Sequence, residues 1–143
     1  MKLHIVRGLP GSGKSTFANN AKNRAGGHVV EADQFFLIGQ EYKYDRNLVH
    51  IAHRWCYART VLLLRNDKDV LVANTFVRLR DIKPYVELKK IFPELEIQIT
   101  ELFTQYPNLH GVSQEKVGEM ALAWKEIPME WLDEYDLVIN RVE

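Results

Sequence analysis

The chain has 143 residues, with 19 Lys plus Arg against 19 Asp plus Glu, so its formal net charge is zero. Hydrophobic residues make up 46% and charged residues 27%, which fits one globular domain with a real core and argues against a basic protein wrapped around long nucleic acid. The single Cys56 excludes an internal disulfide and fits a reducing cytoplasm, the expected location. No apolar run approaches the roughly 20 residues that cross a membrane, and the N-terminus runs directly into a strand without a signal-peptide layout.

In chain order, Leu3 to Val6 reads as a short buried parallel strand. The stretch Gly8-Leu9-Pro10-Gly11-Ser12-Gly13-Lys14-Ser15-Thr16 follows, with the spacing of a phosphate-binding loop: Gly8, four residues, Gly13, Lys14, then a hydroxyl. Glycines there let backbone amides approach phosphate oxygens, and the following helix aims its N-terminal partial charge at the same anion. The Lys14 ammonium suits terminal phosphates, and the Ser15 hydroxyl is a hard ligand suited to Mg²⁺. Lys14 to Arg24 is the expected first helix, closed by Gly26 and Gly27. His28 to Ala32 reads as a second strand, with Asp33 at the carboxyl end where ligands gather in open α/β sheets.

A loop carrying Phe35, Phe36, Tyr42 and Tyr44 leads into a long helix, Asn47 to Arg65. Leu48, Ala52, Trp55, Cys56, Leu62 and Leu63 define its buried stripe, and Arg59 lies on that stripe, pointing inward. Asp69 to Ala73 is the third strand, ending at Asn74 and Thr75. Leu79 to Phe92 is a helix with Pro84 in its first turn or marking its true start. Glu96 to Leu102 is a fourth strand. Ser113 caps a helix to Trp124 whose stripe is Val117, Met120, Ala121 and Trp124. Leu137 to Ile139 is a short last strand. Strands alternating with helices predict one three-layer α/β domain over residues 1–143, a mostly parallel five-stranded sheet covered on both faces. Right-handed crossovers bring the glycine loop, Asp33 and Asn74 to one rim.

Phosphoryl transfer asks for a phosphate cradle with Mg²⁺, a group that orients the attacking oxygen, and positive charge near the transferring phosphoryl. The cradle is Gly8, Pro10, Gly11, Ser12, Gly13, Lys14, Ser15 and Thr16, with Ser15 as the metal ligand. Asp33 is the candidate general base; its competing role is N-cap of a turn over Gln34-Phe35-Phe36. Arg54, Arg59, Arg78 and Arg80 are candidates for the positive charge, Arg59 foremost for its register. His50 and His53, three apart on a helix, have a metal-pair spacing without an evident third ligand, so surface or packing roles weigh more. The aromatic loop residues fit base stacking or packing equally well.

The glycine loop together with Glu31-Ala32-Asp33-Gln34-Phe35-Phe36 resembles small P-loop kinases of the polynucleotide-kinase type. A longer resemblance is to the P-loop domain of the ubiquitin-ligase-binding protein family, often grouped with AAA-type ATPase domains. Its matching runs are Tyr42-Lys43-Tyr44-Asp45, Ala52-His53-Arg54-Trp55 with Arg59, Val72-Ala73-Asn74-Thr75, Lys83-Pro84-Tyr85 and Asn108-Leu109-His110-Gly111-Val112. The resemblance implies a P-loop NTPase fold, ATP with Mg²⁺, a general base at Asp33, and a lid over about 106–125. The chain departs from the kinase pattern at Phe36, Asn74 and Pro107, where an arginine, an aspartate and an arginine are usual.

The expected activity is transfer of the ATP γ-phosphate to a hydroxyl acceptor, such as a nucleic-acid 5′-hydroxyl or a nucleotide, with Lys14, Asp33 and Arg59 as catalytic residues. An ATP-hydrolysing or nucleotide-binding interaction module without kinase activity is the alternative. A motor is disfavoured, because no acidic residue ends the strand Val70 to Ala73.

Overall fold

A computed structural model of the chain describes residues 1–38, 41–105 and 112–143. The expected lid start, Asn108 to Gly111, lies outside the described residues, as does Pro107. Strand β1 (Lys2–Gly8) runs into the glycine loop and helix α1 (Lys14–Ala25), whose C-cap is Gly26. Strand β2 (His28–Val30) is two residues shorter than expected, because Ala32–Phe36 winds into a 3₁₀ turn. A two-stranded hairpin follows, β3 (Leu37–Ile38) with β4 (Glu41–Tyr42), which alternation over so few residues could not announce. Then come α2 (Val49–Arg65), β5 (Val70–Asn74), α3 (Leu79–Val86), α4 (Leu88–Ile91), β6 (Glu96–Leu102), α5 (Gln114–Ala123), α6 (Met129–Glu134) and β7 (Leu137–Val142).

The main sheet has five strands in the order β2-β5-β1-β6-β7, every pair parallel. Alternation along the strands sorts the core into two layers. Leu3 and Ile5 of β1, Val70 and Val72 of β5, and Ile97 and Ile99 of β6 face a large cluster with Cys56, Leu64, Ile82, Val86, Leu88 and Trp131 from the helices. Val6, Leu71, Ala73 and Leu102 face Ala18, with Phe17 and Ala21 of α1 packed beside them. Helices thus cover both faces, the three-layer arrangement of a P-loop α/β fold.

Four details depart from the expected pattern. Pro84 stands inside α3 rather than in its first turn, and the helix ends at Val86, short of Phe92. Proline there withholds the amide that the Arg80 carbonyl would have accepted from, yet the helix runs on to Val86, and the segment resumes after Glu87 as the separate short α4. Arg59 is exposed, as is Leu62 at 53%; the buried stripe of α2 keeps Ala52, Cys56 and Leu63 and adds Thr60 and Leu64, the neighbours of the positions expected inward. On α5, Ser113 caps through its side chain as expected, accepting from the Lys116 amide at 3.1 Å, yet Ala121 of the expected stripe is exposed.

Candidate nucleotide site

The carboxyl ends of β1, β2 and β5 open into one cavity of about 800 Å³. Its wall includes Pro10 to Phe17, Glu31, Ala32, Asp33, His53, Asn74 and Thr75, with Leu102 at the end of β6 and Thr104, Val112 and Met120 from the chain that follows it. That volume is within the range of small-molecule and cofactor sites. The rim expected from strand alternation is therefore assembled: the glycine loop, Asp33 and Asn74 share one concavity.

The loop keeps its shape through backbone conformations that side chains resist. Gly11 and Gly13 hold φ of 85° and 87°, in the left-handed region, and Gly13 is the N-cap of α1. Gly8 has another reason: a Cβ there would collide with the Ser12 hydroxyl and stand 3.0 Å from the Leu102 carbonyl. The Ser12 amide donates to the Leu9 carbonyl at 3.1 Å, closing the turn. The Ser12 hydroxyl is buried and has no partner among the described residues.

Lys14 lies over this loop, its ammonium donating to the Leu9 carbonyl at 3.1 Å. Burial drives its pKa down to about 8, against the opposing pull of Glu31 and Asp33. A half-desolvated ammonium with one carbonyl partner gains much from an anion placed beside it. Ser15 donates its hydroxyl to the Glu31 carboxylate, so two hard oxygen donors meet at the first turn of α1. Glu31 escaped the sequence reading, although it stands two residues before Asp33 at the same strand end.

Asp33 sits in the first turn of the 3₁₀ segment and is exposed. It is not the N-cap: that position is Glu31, and no side chain caps the turn. Its carboxylate accepts from the Tyr42 hydroxyl at 3.1 Å, which ties the β3–β4 hairpin to the rim. Burial and the nearby Asp33 charge push the Tyr42 phenol up to about 12.

Asn74 is braced rather than aimed outward. It is buried; its Oδ1 accepts from the Ala32 amide at 3.0 Å, and its Nδ2 donates to Cys56 Sγ at 3.5 Å. It holds the start of the Asp33 turn, its amide accepting on one side and donating on the other, which an ionised carboxylate could not do. Phe36 is likewise buried, at 4%, ringed by Phe35, Tyr42 and Tyr44. Arg54, Arg59, Arg78 and Arg80 do not line the cavity. Among the described residues no group of three or more His, Cys, Asp or Glu is arranged to hold a metal, so His50 and His53 find no third ligand there.

Residues 3–107 match the family described as "AAA domain". The chain belongs to the AAA domain family. This AAA domain is 32% identical over 130 residues to human NEDD4-binding protein 2; the match covers 82% of the chain and 7% of that much longer protein. Solved structures share its fold, among them the following two. One is a chain of the Pnkp1/Rnl/Hen1 complex, with a TM-score of 0.63 and 24% identity over 79% of this chain and 40% of that one. The other is a gluconokinase from Sinorhizobium meliloti 1021, with a TM-score of 0.61 and 15% identity over 99% and 82%. The AAA domain thus has the architecture of P-loop kinases, and the family to which the sequence resemblance pointed is the family found.

Proposed function

We propose that this chain is a single P-loop kinase-like domain that transfers the γ-phosphate of ATP to a hydroxyl acceptor, a nucleic-acid 5′-hydroxyl or a nucleotide. The observation that carries the reading is the meeting of Lys14 and Asp33 in one cavity: a phosphate-seeking ammonium and an exposed carboxylate in the same wall. Gly8 to Thr16 cradle the phosphates, and Lys14 neutralises charge on the terminal ones. Asp33, steered by Tyr42, takes the proton from the acceptor hydroxyl as its oxygen attacks. The Ser15 hydroxyl and the Glu31 carboxylate fit a hard divalent cation, and would hold Mg²⁺. Bound there, Mg²⁺ supplies charge neutralisation to the phosphates.

A nucleotide-binding module without transfer is the second reading. It is favoured by one observation: none of the four arginines considered for the transferring phosphoryl lines the cavity. Labelled ATP presented with 5′-hydroxyl oligonucleotides, nucleosides and small polyols separates the two. The expected outcome is transfer to one acceptor class, with Asp33→Asn slowing it about 10²- to 10⁴-fold while Mg·ATP affinity stays within about threefold of the parent. Transfer by Asp33→Asn at the parent rate removes Asp33 as the base. ATP binding without transfer to any acceptor removes the kinase reading.

A further inference from the structure

With the four arginines outside the wall, the described lining contains two cation-forming side chains, Lys14 and His53. They come from different parts of the fold. Lys14 rises from the glycine loop at the start of α1, whereas His53 projects from the first half of α2. Helix α2 packs against the 3₁₀ turn that carries Asp33, so His53 enters the cavity on the side where the acceptor would meet Asp33. The residue is exposed, while its neighbour Ala52 is buried in the core. His53 therefore faces the concavity without being consumed by packing. Helix α2 is anchored beneath it by Ala52 and Cys56 on the core side, which gives the imidazole a rigid base.

We infer that His53 is a second hydrogen-bond donor to the transferring phosphoryl, occupying the place that an arginine fills in related chemistry. This rests on the transferase reading above. In the step, the acceptor oxygen forms a bond to the γ-phosphorus and the bond from that phosphorus to the β–γ bridging oxygen breaks. The acceptor proton passes to Asp33. Negative charge is spread over the phosphoryl oxygens in transit, between the Lys14 ammonium on the loop side and a ring N–H of His53 on the acceptor side. His53 exchanges no proton and ends the step as it began.

The test is binding of Mg·ADP with and without aluminium fluoride, in the presence of a 5′-hydroxyl oligonucleotide, measured calorimetrically for the parent, His53→Ala and His53→Arg. The fluoride complex imitates the phosphoryl in flight, while ADP alone reports only the cradle. For the parent, fluoride is expected to tighten ADP binding. His53→Ala is expected to bind ADP alone as the parent does and to lose about tenfold to a hundredfold of the fluoride-dependent gain, the worth of one charge-assisted hydrogen bond. His53→Arg is expected to restore that gain to within about threefold. Alanine is a strong helix former at this exposed site, so the variant keeps its fold, which unchanged ADP affinity also reports. If His53→Ala keeps the full gain, the inference is overturned while the transferase reading stands. If the parent itself shows no gain with the oligonucleotide or with a nucleoside in its place, the transferase reading fails and the inference fails with it.

Discussion

Two positive charges flank the glycine loop, and the protein treats them in opposite ways. Arg7, the penultimate residue of β1, is fully buried and is saturated with partners. Its Nη1 donates to Glu101 at 2.7 Å, its Nε and Nη2 to the Phe76 carbonyl at 3.1 and 2.8 Å, and Nη2 also to the Lys125 carbonyl at 2.9 Å. The guanidinium lies 3.6 Å from the centre of the Trp124 ring. Lys14, at the far end of the loop after Gly13, has one backbone carbonyl and an open cavity. Both are pressed toward neutrality by burial. Arg7 is repaid from within the fold, through Glu101 and the carbonyls. Lys14 is left short, and that shortfall is what a phosphate would fill. A saturated buried charge holds structure; an unsaturated one at a cavity binds a ligand.

Breaking the saturated charge should give the largest effect. Arg7 joins β1 to β6 through Glu101, to the β5 exit through Phe76, and to the end of α5 through Trp124 and Lys125. Phe76 itself is held at φ 48°, a conformation a bulky residue adopts only when its surroundings impose it. Arg7→Met is expected to cost about 3–5 kcal/mol, because it strands the Glu101 carboxylate and the Phe76 carbonyl in the interior. Arg141 reaches Glu101 at 3.1 Å from a half-exposed position and offsets part of that. Urea denaturation checks it: a loss below about 1 kcal/mol would mean that the cluster is not what secures this corner of the sheet.

The difference between the two charges also explains what the sequence could disclose. The glycine loop was legible because its function needs fixed residue types at fixed spacing, whichever partners surround it. The five strands were legible from short apolar runs ending in turn residues. Arg7 was silent, since one arginine after Val6 looks like solvated charge until Glu101 arrives from ninety-four positions away. Glu31 was silent for the same reason: only α1 and β2 docked side by side bring it to Ser15. Arg59 was misplaced because a helical stripe read from apolar residues alone can be rotated by one position; Thr60, buried through its bond to the Cys56 carbonyl, takes the inward place. Asn74 was read as a lost catalytic carboxylate, and its use as a two-sided brace needs Ala32 and Cys56 in view.

Removing the unsaturated charge should do the reverse of removing Arg7. Lys14→Ala is expected to lower Mg·ATP affinity about tenfold to a hundredfold, the range of a hydrogen bond to a charged group. It is expected to leave folding stability unchanged or raised, since a half-desolvated ammonium is deleted from the free protein. Calorimetric titration alongside urea denaturation reads both quantities on one preparation. A variant that binds Mg·ATP as the parent does would detach the glycine loop from nucleotide binding altogether.

The smallest effect is the most diagnostic, because its sign differs between the free and the bound protein. The Lys14 pKa is pushed down to about 8 in the free fold, from an ordinary value of 10.5. Between those values the unfolded chain holds more protons than the folded one, so stability of the ligand-free protein rises with pH across that window. Bound phosphate favours the charged ammonium, so nucleotide binding must restore the proton that the free protein has lost above pH 8. Affinity for Mg·ATP is therefore expected to be flat in this respect below pH 8 and to fall above it, by at most about tenfold per pH unit. Tyr42, pushed up to about 12, is silent over the same range. Lys14→Met should flatten both slopes at once. If affinity in the variant still falls between pH 8 and 10, a different group takes up the proton, and the ammonium over the glycine loop is not the phosphate's counter-charge.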